Sequence, residues 1–138
     1  MRMTAPTLII AALALAGCAQ SPADIARAQA RDQATQAELG KQLAGLTKTE
    51  TRDCLDQYQS SSLKAYGPTL VYTVSSNLKY VNNTGGGCEA VEQGDILVTK
   101  SPTGRLCRGD IGTTVSPSTR SLTGSCGLGS FTTYRKVK

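Results

Sequence analysis

The chain has 138 residues, five cysteines, one phenylalanine, no tryptophan and no histidine, and its formal net charge is +5. Without an imidazole it cannot assemble a Ser-His-Asp triad, a Cys-His pair or a His-Glu-x-x-His metal site. The near absence of aromatic rings interleaved with basic residues argues against stacking on nucleic acid.

After one positive charge, Arg2, the stretch from Leu8 to Leu15 is continuously apolar. That is the length of a signal-peptide core and falls far short of the roughly 20 residues that a spanning helix needs. Leu15-Ala16-Gly17-Cys18 follows and resembles the lipobox of bacterial lipoproteins. The resemblance implies cleavage before Cys18, a diacylglyceryl thioether on its sulfur and a fatty acyl (palmitate-type) group on its new amino terminus. An ordinary signal peptide with an accidental cysteine is the alternative. One fatty chain binds a membrane marginally, whereas two or more hold it stably, so the implied anchor is permanent. Ala19 stands where an aspartate would mark inner-membrane retention in enteric bacteria. By that analogy the protein is expected at the outer membrane, facing the periplasm.

This reading divides the chain into a signal peptide over 1–17, a lipidated cysteine and helical tether over 18–46, and a β-rich, disulfide-linked domain over 47–138. Charge is unevenly shared. Residues 19–56 hold five basic and six acidic side chains, and residues 57–138 hold nine and four. A basic half near a membrane points to anionic neighbours such as lipid head groups or wall glycan. A merely cationic soluble surface explains the same numbers.

Ser21-Pro22-Ala23-Asp24 has the grammar of a helix start, with a capping serine, proline in the first turn and an acid at the positive end of the dipole. Good helix formers then continue, so a helix over 22–44 is expected. Its apolar stripe is thin (Ile25, Ala28, Leu39, Leu43, Leu46), which suits a solvated tether; a partner-binding helix is the alternative. Thr47-Lys48-Thr49-Glu50 reads as a capping box opening a second, short helix from Thr51 to about Tyr58, which Ser60-Ser61-Ser62 ends. From Gly67-Pro68 onward the pattern changes to β-branched and alternating residues. Strands are expected at 69–74, 78–82, 95–100, 105–107, 111–115, 121–126 and 130–135, with loops at 83–87 and 116–120. The fold class expected is α+β, mainly β with an N-terminal helix. Its core would be a small antiparallel sheet or partly closed barrel of about five or six strands.

An exported small domain with four further cysteines, Cys54, Cys88, Cys107 and Cys126, reads as a two-disulfide framework. A four-cysteine zinc site lacks any C-x₂₋₄-C spacing, and no metal or other cofactor is implied. Three pairings are open. Cys54–Cys88 with Cys107–Cys126 is favoured, because the second pair brackets a hairpin centred on Ser116-Pro117-Ser118 and the first would pin the short helix across the glycine loop.

Other chemistry is weak. Ser61 and Lys64 have the spacing of Ser–Lys hydrolases but none of the accompanying motifs. Glu89, Glu92, Asp95 and Asp110 could pair for glycoside cleavage but read as turn and surface residues. Arg108-Gly109-Asp110 spells an adhesion tripeptide that also suits a plain turn. Lys100, Arg105, Arg108 and Arg120 are expected to gather near the hairpin ends. With Arg135 and Lys136 from the basic tail, they form the candidate anion-facing patch.

Arg52-Asp53-Cys54-Leu55-Asp56, Tyr80-Val81-Asn82, Gly104 to Ile111 and Ser125 to Tyr134 together resemble an uncharacterised family of small exported proteobacterial proteins. In that family a Leu-Cys-Arg-Gly-Asp block and a Ser-Cys-x-Leu-Gly-x-Phe block recur. The resemblance covers residues 51–134, departs at Phe131-Thr132-Thr133-Tyr134 where Phe-x-Pro-Tyr is usual, agrees with the favoured pairing by position and implies no activity. The function expected is that of a non-catalytic, membrane-anchored envelope module that contacts an envelope protein or serves as a structural element. The alternative is a binding module for an anionic lipid or glycan. A third reading, inhibition of a lytic enzyme, sits poorly with a cationic face.

Overall fold

The computed structural model describes residues 21–56, 60 and 62–137; the expected signal peptide, Cys18, Tyr58 and Ser61 lie outside the described residues. Ser21 opens helix α1 (Pro22–Gln42). Its Oγ accepts from the Asp24 N–H at 3.2 Å and donates to the Asp24 carboxylate at 2.7 Å, so an otherwise orphaned donor of the first turn is satisfied. The helix stops two residues short of the expected end, where Leu43 caps it and Gly45 turns away at φ +74°. Residues 21–34 are bare to solvent, whereas Thr35, Leu39, Gln42 and Leu43 are half-buried. That spacing is one helical face. Lys79 donates to the Gln42 carbonyl at 2.7 Å, setting a cation at the negative end of the helix dipole.

The strands are β1 (Thr47–Arg52), β2 (Cys54–Asp56), β3 (Ser62–Tyr66), β4 (Thr69–Ser75), β5 (Leu78–Asn83), β6 (Ile96–Thr99), β7 (Arg105–Cys107), β8 (Ile111–Val115), β9 (Leu122–Gly127) and β10 (Phe131–Arg135). They form a five-stranded sheet in the order β1-β10-β5-β4-β3, a β2-β7 pair and a three-stranded sheet β6-β8-β9, with every pairing antiparallel. Register puts Ala65, Leu70, Tyr72, Tyr80, Asn82, Phe131 and Thr133 on one face of the large sheet. Leu55, Leu106 and Leu128 close the core from the other side, with Leu97 packed against them. Tyr72 and Phe131 meet edge to face, 5.7 Å between centroids, a favoured aromatic geometry. The opposite face carries Tyr66, Val71 and Lys79, and α1 lies against β3 on that side.

The class is as expected: mainly β, antiparallel, with a helix near the N-terminus and two disulfides. The large sheet has five strands, within the five or six expected; among the described residues a β2-β7 pair and a three-stranded sheet are added to it, and the sheets do not close into a barrel. Three strands lie where none was expected, β1 and β2 in the segment expected to be a capped helix and β3 just beyond it. Thr47 to Arg52 is the edge strand β1, paired along β10 with a bulge between Lys48 and Glu50. Thr47, Thr49 and Thr51 are β-branched and fit a pleated partner better than a helix. Asp53 then bends the chain, and β2 leaves for a different sheet. Ser62, expected to be part of a break, opens β3.

The expected cysteine pairing is overturned. The bonds are Cys54–Cys107 and Cys88–Cys126, and register explains why. The hairpin around Ser116 exists, but the residue opposite Cys126 is Gly112. Cys107 lies upstream on β7, directly opposite Cys54 on β2. Cys88, delivered by the glycine loop, reaches Cys126 instead, and its Sγ lies 3.8 Å from the Gly112 carbonyl.

Candidate functional site

Two cysteine-containing blocks of the sequence, Leu106–Asp110 and Ser125–Phe131, meet in space. The Gly109 N–H donates to the Leu128 carbonyl at 2.8 Å, and the Leu128 N–H donates back to the Asp110 carbonyl at 2.9 Å. The Asp110 carboxylate accepts from the Cys107 N–H at 2.8 Å, and the Arg108 N–H donates to the Asp53 carbonyl at 2.7 Å. Gly109 sits at φ +90°, where a side chain would be strained. Leu106, Leu128 and Phe131 are buried. The Arg108-Gly109-Asp110 tripeptide is therefore a turn pinned at three points, with its carboxylate spent on the backbone.

The other acids considered for chemistry are also engaged. Glu89 accepts from the Gly87 N–H through both oxygens, at 3.0 and 2.9 Å. Glu92 accepts from the Gly67 N–H at 3.4 Å, and Asp95 accepts from the Thr123 hydroxyl at 2.5 Å. Each carboxylate fastens a different loop, and they do not converge. Lys64 is exposed on β3 with its ammonium 5.1 Å from the centre of the Tyr66 ring, a cation–π contact. The four cysteines are held as disulfides, so no thiolate remains among them for a metal.

The six candidate cations do not form one patch. Arg105 is paired with Asp56 at 2.9 Å on the β2-β7 ladder. Arg120 stands at the tip of the β8-β9 hairpin at φ +57°. Lys100 and Arg108 lie at its other end, past a strand of five residues, about 16 Å long. Arg135 and Lys136 end β10, across from Thr47 and beside Asn77. The expected gathering of Lys100, Arg105, Arg108 and Arg120 is thereby reduced to Lys100 and Arg108 at one end, because Arg120 belongs to the far turn and Arg105 to a different sheet.

What the sequence reading passed over is the outer face of β6-β8-β9. Its inner face is Leu97, Gly112 and Cys126, turned toward the core. Its outer face is therefore Ile96 and Val98 on β6, Ile111, Thr113 and Val115 on β8, and Leu122 on β9. Ile96 is 54 % exposed, Val98 41 %, Ile111 57 % and Leu122 67 %. Between β6 and β8 this face dips into an open hollow of about 470 Å³ lined by Val98, Lys100, Gly109, Asp110, Ile111 and Thr113. The signal was present in β6, where Ile96-Leu97-Val98 is apolar at both parities, which an ordinary half-buried strand is not. No described helix is long and apolar enough to cross a membrane. No family model, curated protein or solved structure matches the chain.

Proposed function

We propose that this chain is an exported bacterial lipoprotein, lipidated at Cys18, whose cross-linked β domain is a non-catalytic interaction module held at the envelope by a helical arm. The observation that carries the reading is that all four cysteines downstream of the lipobox-like segment are joined in pairs, the state expected of a domain that lives in an oxidising compartment. The bare first half of α1 supports a tether: the helix packs on the domain only from Thr35 onward. The absence of histidine from the sequence and the separate backbone duties of Glu89, Glu92 and Asp110 support a binding role over hydrolysis.

The test is mass spectrometry of the native product purified from a bacterial envelope. The expected N-terminal peptide begins at Cys18 and carries diacylglyceryl and acyl masses. A non-reducing digest gives the Cys54–Cys107 and Cys88–Cys126 peptides. A product that keeps Met1, or that shows free thiols at the downstream positions, overturns the reading.

A further inference from the structure

Of the large apolar side chains that stand exposed among the described residues, four lie on the single outer face of β6-β8-β9. Single exposed apolar side chains are ordinary, and it is the clustering of four on one face that singles it out. Its size limits the occupant. Three strands about 4.8 Å apart and about 16 Å long offer on the order of 250 Å², against roughly 800 Å² on each side of a stable protein–protein interface. A second copy of the chain seated here would be held too weakly. A surface to which the protein is already tied is different, because the second contact is then intramolecular and needs little affinity of its own.

Charge and position agree on that surface. Lys100 borders the hollow and Arg108 precedes Gly109 on its rim; neither cation has an ion-pair partner among the described residues. The Asp110 carboxylate also lines the hollow and keeps its charge while accepting from the Cys107 N–H; the cationic excess is that of residues 57–138 as a whole, nine basic against four acidic side chains. The face thus joins branched aliphatic side chains to free cations, the composition of a bilayer-interface contact with anionic lipid.

The anchor end coincides with the basic end. α1 passes from Gln42, at Lys79, to Thr35, beside Gly67 in the β3-β4 turn, and its bare half continues past that turn. Register places the same turn at the end of the large sheet that carries Asn82, Asn83 and Phe131. Asp53 follows Arg52, which pairs with Phe131, and holds Arg108 by its carbonyl. The helical arm and the Lys100–Arg108–Ile111 end of the apolar face therefore leave the domain at the same end. Pro22–Ala34 extends about 20 Å as a helix, and two residues, Ala19 and Gln20, lie between Cys18 and Ser21. α1 lies on the far side of the large sheet from this face, so docking tips the domain about the end they share until the face meets the bilayer that holds the anchor.

We infer that the outer face of β6-β8-β9 is a second membrane contact, which docks the domain against anionic phospholipid through Val98, Ile111, Lys100 and Arg108. The inference rests on the lipid-anchored reading above. Because the chain contains no tryptophan, V98W and, separately, T51W each place a single indole, the first on the face and the second on the exposed edge strand β1. The lipidated full-length variants are incorporated into vesicles of phosphatidylcholine, or of equal parts phosphatidylcholine and phosphatidylglycerol, containing brominated acyl chains. Retained far-ultraviolet dichroism confirms folding, and I111W serves if V98W fails it. The expected result is quenching and a blue shift of the V98W indole in anionic vesicles, with the T51W indole unchanged. K100Q and R108Q in the V98W background each reduce the docked population roughly fivefold. A protein that floats with the vesicles while its V98W indole behaves like the T51W indole overturns the docking face and leaves the anchor standing. A protein that does not float, with no lipid mass at its N-terminus, overturns the anchor and the face with it.

Discussion

Asn82 shows what a single buried amide can do in this fold. It is fully buried; its Nδ2 donates to the Gly129 carbonyl at 2.7 Å and its Oδ1 accepts from the Gly129 N–H at 2.9 Å. The amide thus stands in for a strand partner where the link between β9 and β10 has none. Gly129 must be glycine, since a Cβ there would lie 2.3 Å from the Asn83 carbonyl oxygen. Asn82→Ala leaves both Gly129 groups unsatisfied and should cost about 2–4 kcal/mol, read as a lower denaturation midpoint at unchanged slope. Tyr72 is the opposite case. Its hydroxyl is buried with no hydrogen-bond partner among the described residues, and burial pushes its ionisation well above the usual tyrosine range. Tyr72→Phe removes that unpartnered group and keeps the edge contact with Phe131, so stability should hold or rise by up to about 1 kcal/mol. The pH dependence has a definite sign. The folded value lies above the unfolded one, so ionisation of Tyr72 has no effect on stability below about pH 10 and destabilises the native state as pH rises beyond it. Tyr72→Phe should therefore move the alkaline unfolding limb to higher pH, as followed by circular dichroism.

At the scale of elements, the two disulfides sit in different surroundings and should break in a fixed order. Cys88 and Cys126 are buried, whereas Cys54 and Cys107 are only partly covered on the short β2-β7 ladder. Exchange needs a thiolate to reach a sulfur, so mild reductant under native conditions should open Cys54–Cys107 first. Alkylation followed by peptide mapping reads the order, and simultaneous opening of both would show that access does not control it. Where the sequence was legible, the information was local: β4, β5, β8 and β10 lie within a residue or two of their expected bounds, since turns flank β-branched runs. Where it failed, the deciding partner was remote. Thr47-Lys48-Thr49-Glu50 has the letters of a capping box, yet Thr49 bonds to the carbonyl of Thr133, 84 residues away, and that pairing outweighs the local preference. The cysteine pairing failed for the same reason, because nothing near Cys107 announces that β2 lies opposite it. The apolar outer face was missed because its residues look like core until the sheet shows which parity points inward.

For the molecule as a whole, covalent links compensate for a small core. One phenylalanine and a handful of leucines fill the space between the sheets, and a domain of this size buries a modest share of its surface. Cys54–Cys107 closes a separation of 53 residues and Cys88–Cys126 one of 38, worth about 4 kcal/mol each on the chain-entropy account. Total stabilities of such domains run at roughly 5–15 kcal/mol, so the two links together hold much of what there is. Removing either pair, as C54A/C107A or C88A/C126A, should lower the melting temperature on the order of 20 °C, and removing both should leave a chain without a cooperative transition. Scanning calorimetry of the four forms checks this; additive losses mean that the links constrain independent loops, whereas a second removal with no further effect would mean that the first had already freed the three-stranded sheet. The same dependence separates compartments. A chain that gains its stability when its sulfurs join stays unfolded in a reducing compartment; on the lipoprotein reading proposed above, it would then acquire its docking face only after export, at the membrane that this face is inferred to meet.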